Sequence, residues 1–169
     1  MPLIVETGQG LPNADSYVSL EDGRALAAKY GLELPEDDIA AEASLRNGAV
    51  YVGLFESQMC GRRVSASQAL AFPRTGITLH GFPQPSNVIP PLIVQAQVMA
   101  AVEYGAGTDV RGSTDGREVQ TERVEGAVTV SYFKNGYSGG TVSITAADDA
   151  LRPLLCGSNN AYSFNVFRG

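Results

Sequence analysis

The chain has 169 residues, of which 44% are hydrophobic and 18% charged, and its formal net charge is −6. That balance excludes global disorder and suits one domain with a real core and room for an appended arm. It also argues against a nucleic-acid binder driven by counterion release, because the twelve basic residues are scattered and only Arg62 and Arg63 are adjacent.

Residues 1–18 read as an extended arm. Gly8, Gly10 and Pro12 break any helical period, Leu3-Ile4-Val5 suits a short extended piece, and Tyr17 ends the arm near the first helix. Leu3, Ile4, Val5 and Tyr17 are its candidate contact residues, either with a neighbouring chain or with the chain's own core. Gly8-Gln9-Gly10 has no strand before it or helix after it, so it reads as a flexible joint and not as a phosphate loop. The opening has no basic segment followed by an apolar one, and no signal peptide is expected.

Ser19 is placed to cap a helix over Leu20–Tyr30, with Gly31 to end it. A second helix is expected after Pro35, with Glu36, Asp37 and Asp38 in its first turn, running to about Met59. Ile39, Ala43, Val50 and Leu54 mark its apolar stripe, with Tyr51 and Phe55 beside it. Gly48 and Gly53 weaken that helix by about 1 kcal/mol each relative to alanine, which suggests the close approach of another helix.

Arg62 to Gly76 reads as a semi-rigid loop. Val64, Leu70 and Phe72 are expected to anchor it inward, and Ser65–Leu70 to form a short helical turn before Pro73. Arg62, Arg63 and Arg74 then remain outside, where arginine forks could bind carboxylates of a partner. With Phe72 and Pro73 they form the candidate inter-subunit or partner loop. The chain from Gly76 to Pro91 is expected to be loop, and Pro91 to open a third helix over Pro91–Tyr104 with Leu92, Ala96 and Met99 on one face.

The period changes after residue 107. Glu118–Glu125 and Ala127–Phe133 alternate as strands do, and Thr141–Thr145 suits a third short strand. Asp148 or Asp149 could cap a last short helix reaching Cys156. The segment beyond it holds Tyr162, Phe164, Val166 and Phe167 among small polar residues, with no charge before Arg168. So apolar a tail suits docking on a partner.

The fold expected is mainly α: a small helical bundle of three main helices plus a short C-terminal helix, with an appended β-hairpin or small antiparallel sheet and extended terminal arms. The parts are an arm at 1–18, a helical core at 19–107, a loop and strand region at 108–147, and a short helix with its tail at 148–169.

No residue pattern points to catalysis. His80 is the single histidine and sits in a Gly/Pro loop, with no motif pairing it to Cys60 or to a serine. One histidine and two distant cysteines do not make a metal site, and Glu36-Asp37-Asp38 reads as charge at a helix N-terminus. No enzyme activity, cofactor or metal is expected. Cys60 and Cys156 read as buried thiols more readily than as a bridge, which suggests a cytosolic origin.

The opening L-I-V-E-T-G-Q-G-L-P-N-A-D-S-Y-V-S-L resembles head-to-tail connector proteins of tailed bacteriophages, of the head-completion or adaptor type. So do the alanine-rich second helix, R-R-V-S-A-S-Q-A-L-A-F-P-R and I-P-P-L-I-V-Q-A. Phe72 stands where that family commonly has tryptophan, and the likeness covers about residues 3–104. The resemblance implies a structural virion protein with no catalytic role, forming a dodecameric ring with copies of itself beneath the portal protein. Such a ring meets a downstream tail or nozzle protein and passes double-stranded DNA through its lumen without specific binding. No membrane is involved, and assembly would occur in the host cytoplasm. The tail residues Tyr162, Phe164, Val166, Phe167 and Arg168 would dock on the portal. Members are also often labelled as resembling a DnaT-type single-stranded-DNA-binding protein, which implies a replication role as the alternative.

Overall fold

Ser19 and Asp37 set the first two helices by the same device. Ser19 Oγ accepts from the Asp22 N–H at 3.1 Å to start α1 (Leu20–Lys29), and Asp37 accepts from the Ala40 N–H at 2.8 Å to start α2 (Asp38–Leu54). The acidic run therefore enters α2 as a cap followed by Asp38, not as a full first turn. Helix α2 stops at Leu54, short of Met59, and a 3₁₀ turn at Glu56–Gln58 carries the chain on. In this computed structural model the described residues are 2–108, 121–124, 128–131 and 144–156, the strands at 121–124 and 128–131 by their backbone alone.

Helix α3 (Pro91–Gly105) opens on Pro91 as expected and lies against α2. The approach depends on Gly48: a Cβ there would stand 2.2 Å from the Gln97 carbonyl oxygen. Gly53 has no such neighbour and meets open space. The close contact expected from the two glycines is thus made by one of them.

The apolar stripe expected on α2 is corrected. Ile39, Val50 and Leu54 are exposed (76%, 44% and 46%), whereas Ala41, Ser44, Leu45, Gly48, Ala49, Tyr51 and Val52 are buried. Apolar residues occur around most of this helix, so periodicity could not choose the inward side. Small residues chose it, because they allow α3 to come close.

Two buried clusters result. One joins α1, α2 and α3 through Val18, Ala27, Leu34, Ala41, Leu45, Val98 and Ala101. The other joins α2 and α3 to the loops and to α4 (Thr145–Leu151), around Tyr51, Val52, Phe72, Ile93, Leu151 and Leu154. Helix α4 begins earlier than Asp148. The Ile144 N–H donates to Tyr51 Oη at 2.9 Å, and that hydroxyl donates to Asp148 Oδ1 at 2.6 Å. Asp148 thereby serves a tyrosine from α2 and does not act as the cap. Burial, then the Asp148 hydrogen bond, pushes the Tyr51 phenol well above its usual range.

Four two-residue strands form hairpin-like pairs in the loops: β1 (Arg62–Arg63) with β2 (Arg74–Thr75), and β3 (Thr78–Leu79) with β4 (Phe82–Pro83). Ser65–Leu70 is a turn without helix. Further on, β5 (Thr121–Val124) pairs antiparallel with β6 (Val128–Ser131) within the chain, as the alternation suggested. Of the expected third strand, residues 141–143 lie outside the described residues, and Thr145 is the first residue of α4.

The cysteine reading is also corrected. Cys60 and Cys156 form a disulfide, with Cα atoms 4.9 Å apart. Backbone pairing brings them together: Met59 bridges Leu155, the Cys60 N–H donates to Leu154 O at 2.9 Å, and the Cys156 N–H donates to Gln58 O at 2.8 Å. A separation of 96 residues gives no hint of this in the sequence. The cytosolic expectation, drawn from free thiols, loses that support.

Candidate functional site

The loop layer between α2 and α3 is built on buried polar groups. Glu56 receives the Arg63 fork on both carboxylate oxygens, and Arg74 Nη1 approaches it at 3.4 Å. Arg74 is only 7% exposed. Its guanidinium donates to the carbonyls of Cys60 (2.8 Å), Gly61 (2.9 Å), Met59 and Ala71 (3.4 Å each). The Arg63 hydrogen bond, aided by both arginine charges, holds the Glu56 carboxyl below its usual range. Gln68 completes the layer, accepting from the Val64 and Ser65 N–H groups and donating to Leu70 O and Pro73 O.

The candidate partner loop therefore divides. Phe72 and Pro73 are buried and joined by a cis peptide bond. Arg63 and Arg74 are engaged within the chain and hold the loop's own backbone. Val64, expected inside, is exposed, and Leu70 is partly buried against the core. Arg62 alone of the three arginines is exposed, with no ion pair among the described residues.

The arm packs on its own chain. Val5 bridges Ser16 in parallel, Leu3 and Val5 are partly covered, and Ile4 lies at the surface. Tyr17 is buried: its N–H donates to Gln97 Oε1 at 2.9 Å, and its hydroxyl accepts from the Phe72 N–H at 3.1 Å. Burial pushes the Tyr17 phenol well above its usual range. The supposed joint at residues 8–10 is instead a tied loop. Glu6 Oε1 accepts from the N–H groups of Gly8, Gln9 and Gly10 at 2.8–3.0 Å, and Oε2 accepts from that of Leu11 at 2.7 Å. Both glycines have positive φ, which turns those donors inward.

The residues that organise this region and escaped the sequence reading are Glu6, Glu56, Gln68 and Gln97. Gln97 had a signal, a polar residue inside the apolar run P-L-I-V-Q-A-Q-V-M-A-A-V. It is buried and donates to Ser16 Oγ at 2.7 Å and Leu45 O at 2.9 Å.

The remaining surface feature of this layer is the β3–β4 hairpin. His80 (φ 52°) and Gly81 (φ 86°) make its turn, and the buried Ile77 anchors its base, accepting from the Gln84 N–H at 2.9 Å. Leu79 packs against the core while its partner Phe82 is 72% exposed. Ile77 also touches Gly61, next to Arg62. The loop layer thus exposes a ring, Phe82, on its β3–β4 hairpin and a guanidinium, Arg62, on β1 with no ion pair among the described residues. The tail residues Tyr162, Phe164, Val166, Phe167 and Arg168 lie outside the described residues. No group of three or more metal-ligating side chains occurs among the described residues, and no helix there is long and apolar enough to cross a membrane.

Such an architecture defines a small, mainly helical domain carrying a polar-braced loop layer. The chain belongs to the family described as "Putative DnaT-like ssDNA binding protein", which it matches over residues 1–169. That description fits the single-stranded-DNA reading better than a structural adaptor, and it says nothing of a head-to-tail connector. No curated protein and no solved structure shows significant similarity to the chain.

Proposed function

We propose that this chain binds single-stranded DNA, using the β3–β4 hairpin and the neighbouring Arg62. The family match over the whole chain carries the reading. The structure adds a means: the exposed Phe82 ring offers a stacking face for a base, and the exposed Arg62 guanidinium of the same loop layer can meet a phosphate. Binding of this kind is sequence-tolerant, and with few cations it is weak and shallow in its salt dependence. No catalytic step is assigned to the chain.

The test is fluorescence anisotropy of a labelled oligothymidine titrated with the full chain over a range of NaCl. Phe82→Ala, at an exposed position, should leave the fold intact and weaken binding by about tenfold, the scale of one lost stacked base. Arg62→Ala should flatten the salt slope by roughly 0.7, one phosphate contact. Absence of binding at low salt overturns the reading.

A second reading, a head-to-tail adaptor of a tailed phage in the virion neck, is favoured by a specific observation. Arg24, Arg46, Arg63, Arg74 and Arg152 are all paired with carboxylates of the chain itself, so that few cations among the described residues remain for DNA. Under this reading copies form a ring on a portal protein, with the tail and loops as contacts. Saturable co-sedimentation with the portal protein, together with no affinity for oligothymidine, would select it.

A further inference from the structure

Residues 144–156 are held on the bundle at their two ends by different kinds of bond. At the start, the Ile144 N–H donates to the Tyr51 hydroxyl at 2.9 Å, and that hydroxyl donates to Asp148 at 2.6 Å. At the end, the Met59–Leu155 bridge and the Cys60–Cys156 disulfide tie the chain to the loop layer. Between these anchors α4 lies against α3 and buries Ala147, Ala150 and Leu151, and Leu154 follows in the 3₁₀ turn Arg152–Leu154. A helix as short as Thr145–Leu151 does not persist alone in water, so α4 exists only while it is docked.

The two anchors differ in what can undo them. Tyr51 and Ile144 are buried, and nothing from solution reaches their hydrogen bonds. The disulfide lies nearer the surface: Cys156 is exposed and Cys60 half-buried, which gives a thiol access to the bridge. Arg63 and Arg74 share the single carboxylate of Glu56, and Arg74 also donates to the Cys60 carbonyl at 2.8 Å. These three side chains together carry a net positive charge beside Cys60. Such a charge favours Cys60 as the departing thiolate when the Cys156 sulfur is attacked.

Reduction removes one anchor of two. With the disulfide closed, an undocked α4 remains tethered to α3 through residues 106–143 and to the loop layer through Cys60, and its high local concentration returns it to its seat. With the disulfide open the second tether is gone, and only the noncovalent contacts oppose release.

We propose that the Cys60–Cys156 bridge is a redox latch: reduction by a dithiol lets α4 leave α3 and bares the side of the bundle that carries Tyr51, and reoxidation seats the helix again. In the forward step a thiolate of the dithiol attacks Cys156 Sγ, the S–S bond breaks, and Cys60 leaves as a thiolate that takes up a proton. The second thiolate of the reductant then attacks the mixed disulfide, and Cys156 leaves and takes up the other proton. Two electrons pass to the protein, and the reductant ends as its cyclic disulfide. The proposal does not depend on DNA binding.

Amide hydrogen exchange of the full chain, oxidised and after treatment with dithiothreitol, tests it. Exchange within 144–156 should rise by at least about tenfold, less than the full contribution of a long-loop disulfide. Amides of Leu45 and Ala101, in the cluster shared with α1, should keep their protection. Cys60→Ser with Cys156→Ser should show the reduced pattern with and without the reagent, and an oxidised dithiol should restore protection to the reduced parent. Unchanged exchange in 144–156 on reduction overturns the proposal. A rise shared equally by α1, α2 and α3 overturns it too, because the bridge would then brace the whole fold and not latch one helix.

Discussion

The helical bundle and the loop layer are held by opposite means. Between α2 and α3 the contact is backbone against backbone, with Gly48 facing the Gln97 carbonyl and alanines filling the surroundings. Between Glu56 and Gln84 the chain has little regular structure, and its carbonyls are gathered by Arg74, Arg63 and Gln68. The bundle depends on what is missing from side chains. The loop layer depends on charges that have no business in a core unless they are fully partnered.

The comparison can be broken at its strongest point by Arg74→Ala. It would leave Glu56 with one arginine and strip the carbonyls of Cys60 and Gly61 of their donor. A loss of roughly 1–3 kcal/mol is expected, the cost of leaving buried carbonyls without their donor, read by urea denaturation. A loss below 1 kcal/mol would mean the layer is held by Phe72, Ile77 and their apolar neighbours instead.

Removing the disulfide by Cys60→Ala with Cys156→Ala should destabilise the chain by about 2–4 kcal/mol, since the bridge closes a long loop. The readout is the denaturation midpoint against that of the oxidised parent, with a reducing agent reproducing the shift. In the bundle, Gly48→Ala drives a methyl group against the Gln97 carbonyl and should cost about 1–3 kcal/mol. Gly53→Ala, on the same helix but facing open space, should stabilise it or leave it unchanged. Equal effects at the two glycines would refute the close α2–α3 contact.

The smallest effect expected concerns pH. The Glu56 carboxyl is held below its ordinary value in the folded state, so its contribution is fully present above the ordinary carboxylate pKa and is lost as pH falls through the lowered one. Acid should therefore destabilise the parent more than Glu56→Gln over that window. Parallel stability curves for the two would show that the Arg63 pairing adds nothing.

Much of the bundle was legible in the residues. Ser19, Pro91 and the change of period after Gly107 mark element boundaries by local chemistry, and the β5–β6 hairpin follows from simple alternation. The loop layer was legible only in part. Phe72 reads as an anchor because it is a large apolar ring beside proline, but Arg63 and Arg74 read as surface residues because isolated arginines usually are. Their partner Glu56 belongs to a different element, and nothing in its own surroundings signals the pairing. Phe82 fell within a stretch read only as loop, and its exposure became visible once the β3–β4 turn set Leu79 against the core and left its partner outside.

The sequence by itself determined the three main helices, the Ser19 cap and the mainly α character, because those follow from interactions between residues a few positions apart. Only the tertiary structure decided which face of α2 is inside, that Cys60 meets Cys156, and that Arg74 is buried while Arg62 is not. Each of those depends on residues far apart in the chain arriving at the same place, and one-dimensional patterning carries no record of that meeting.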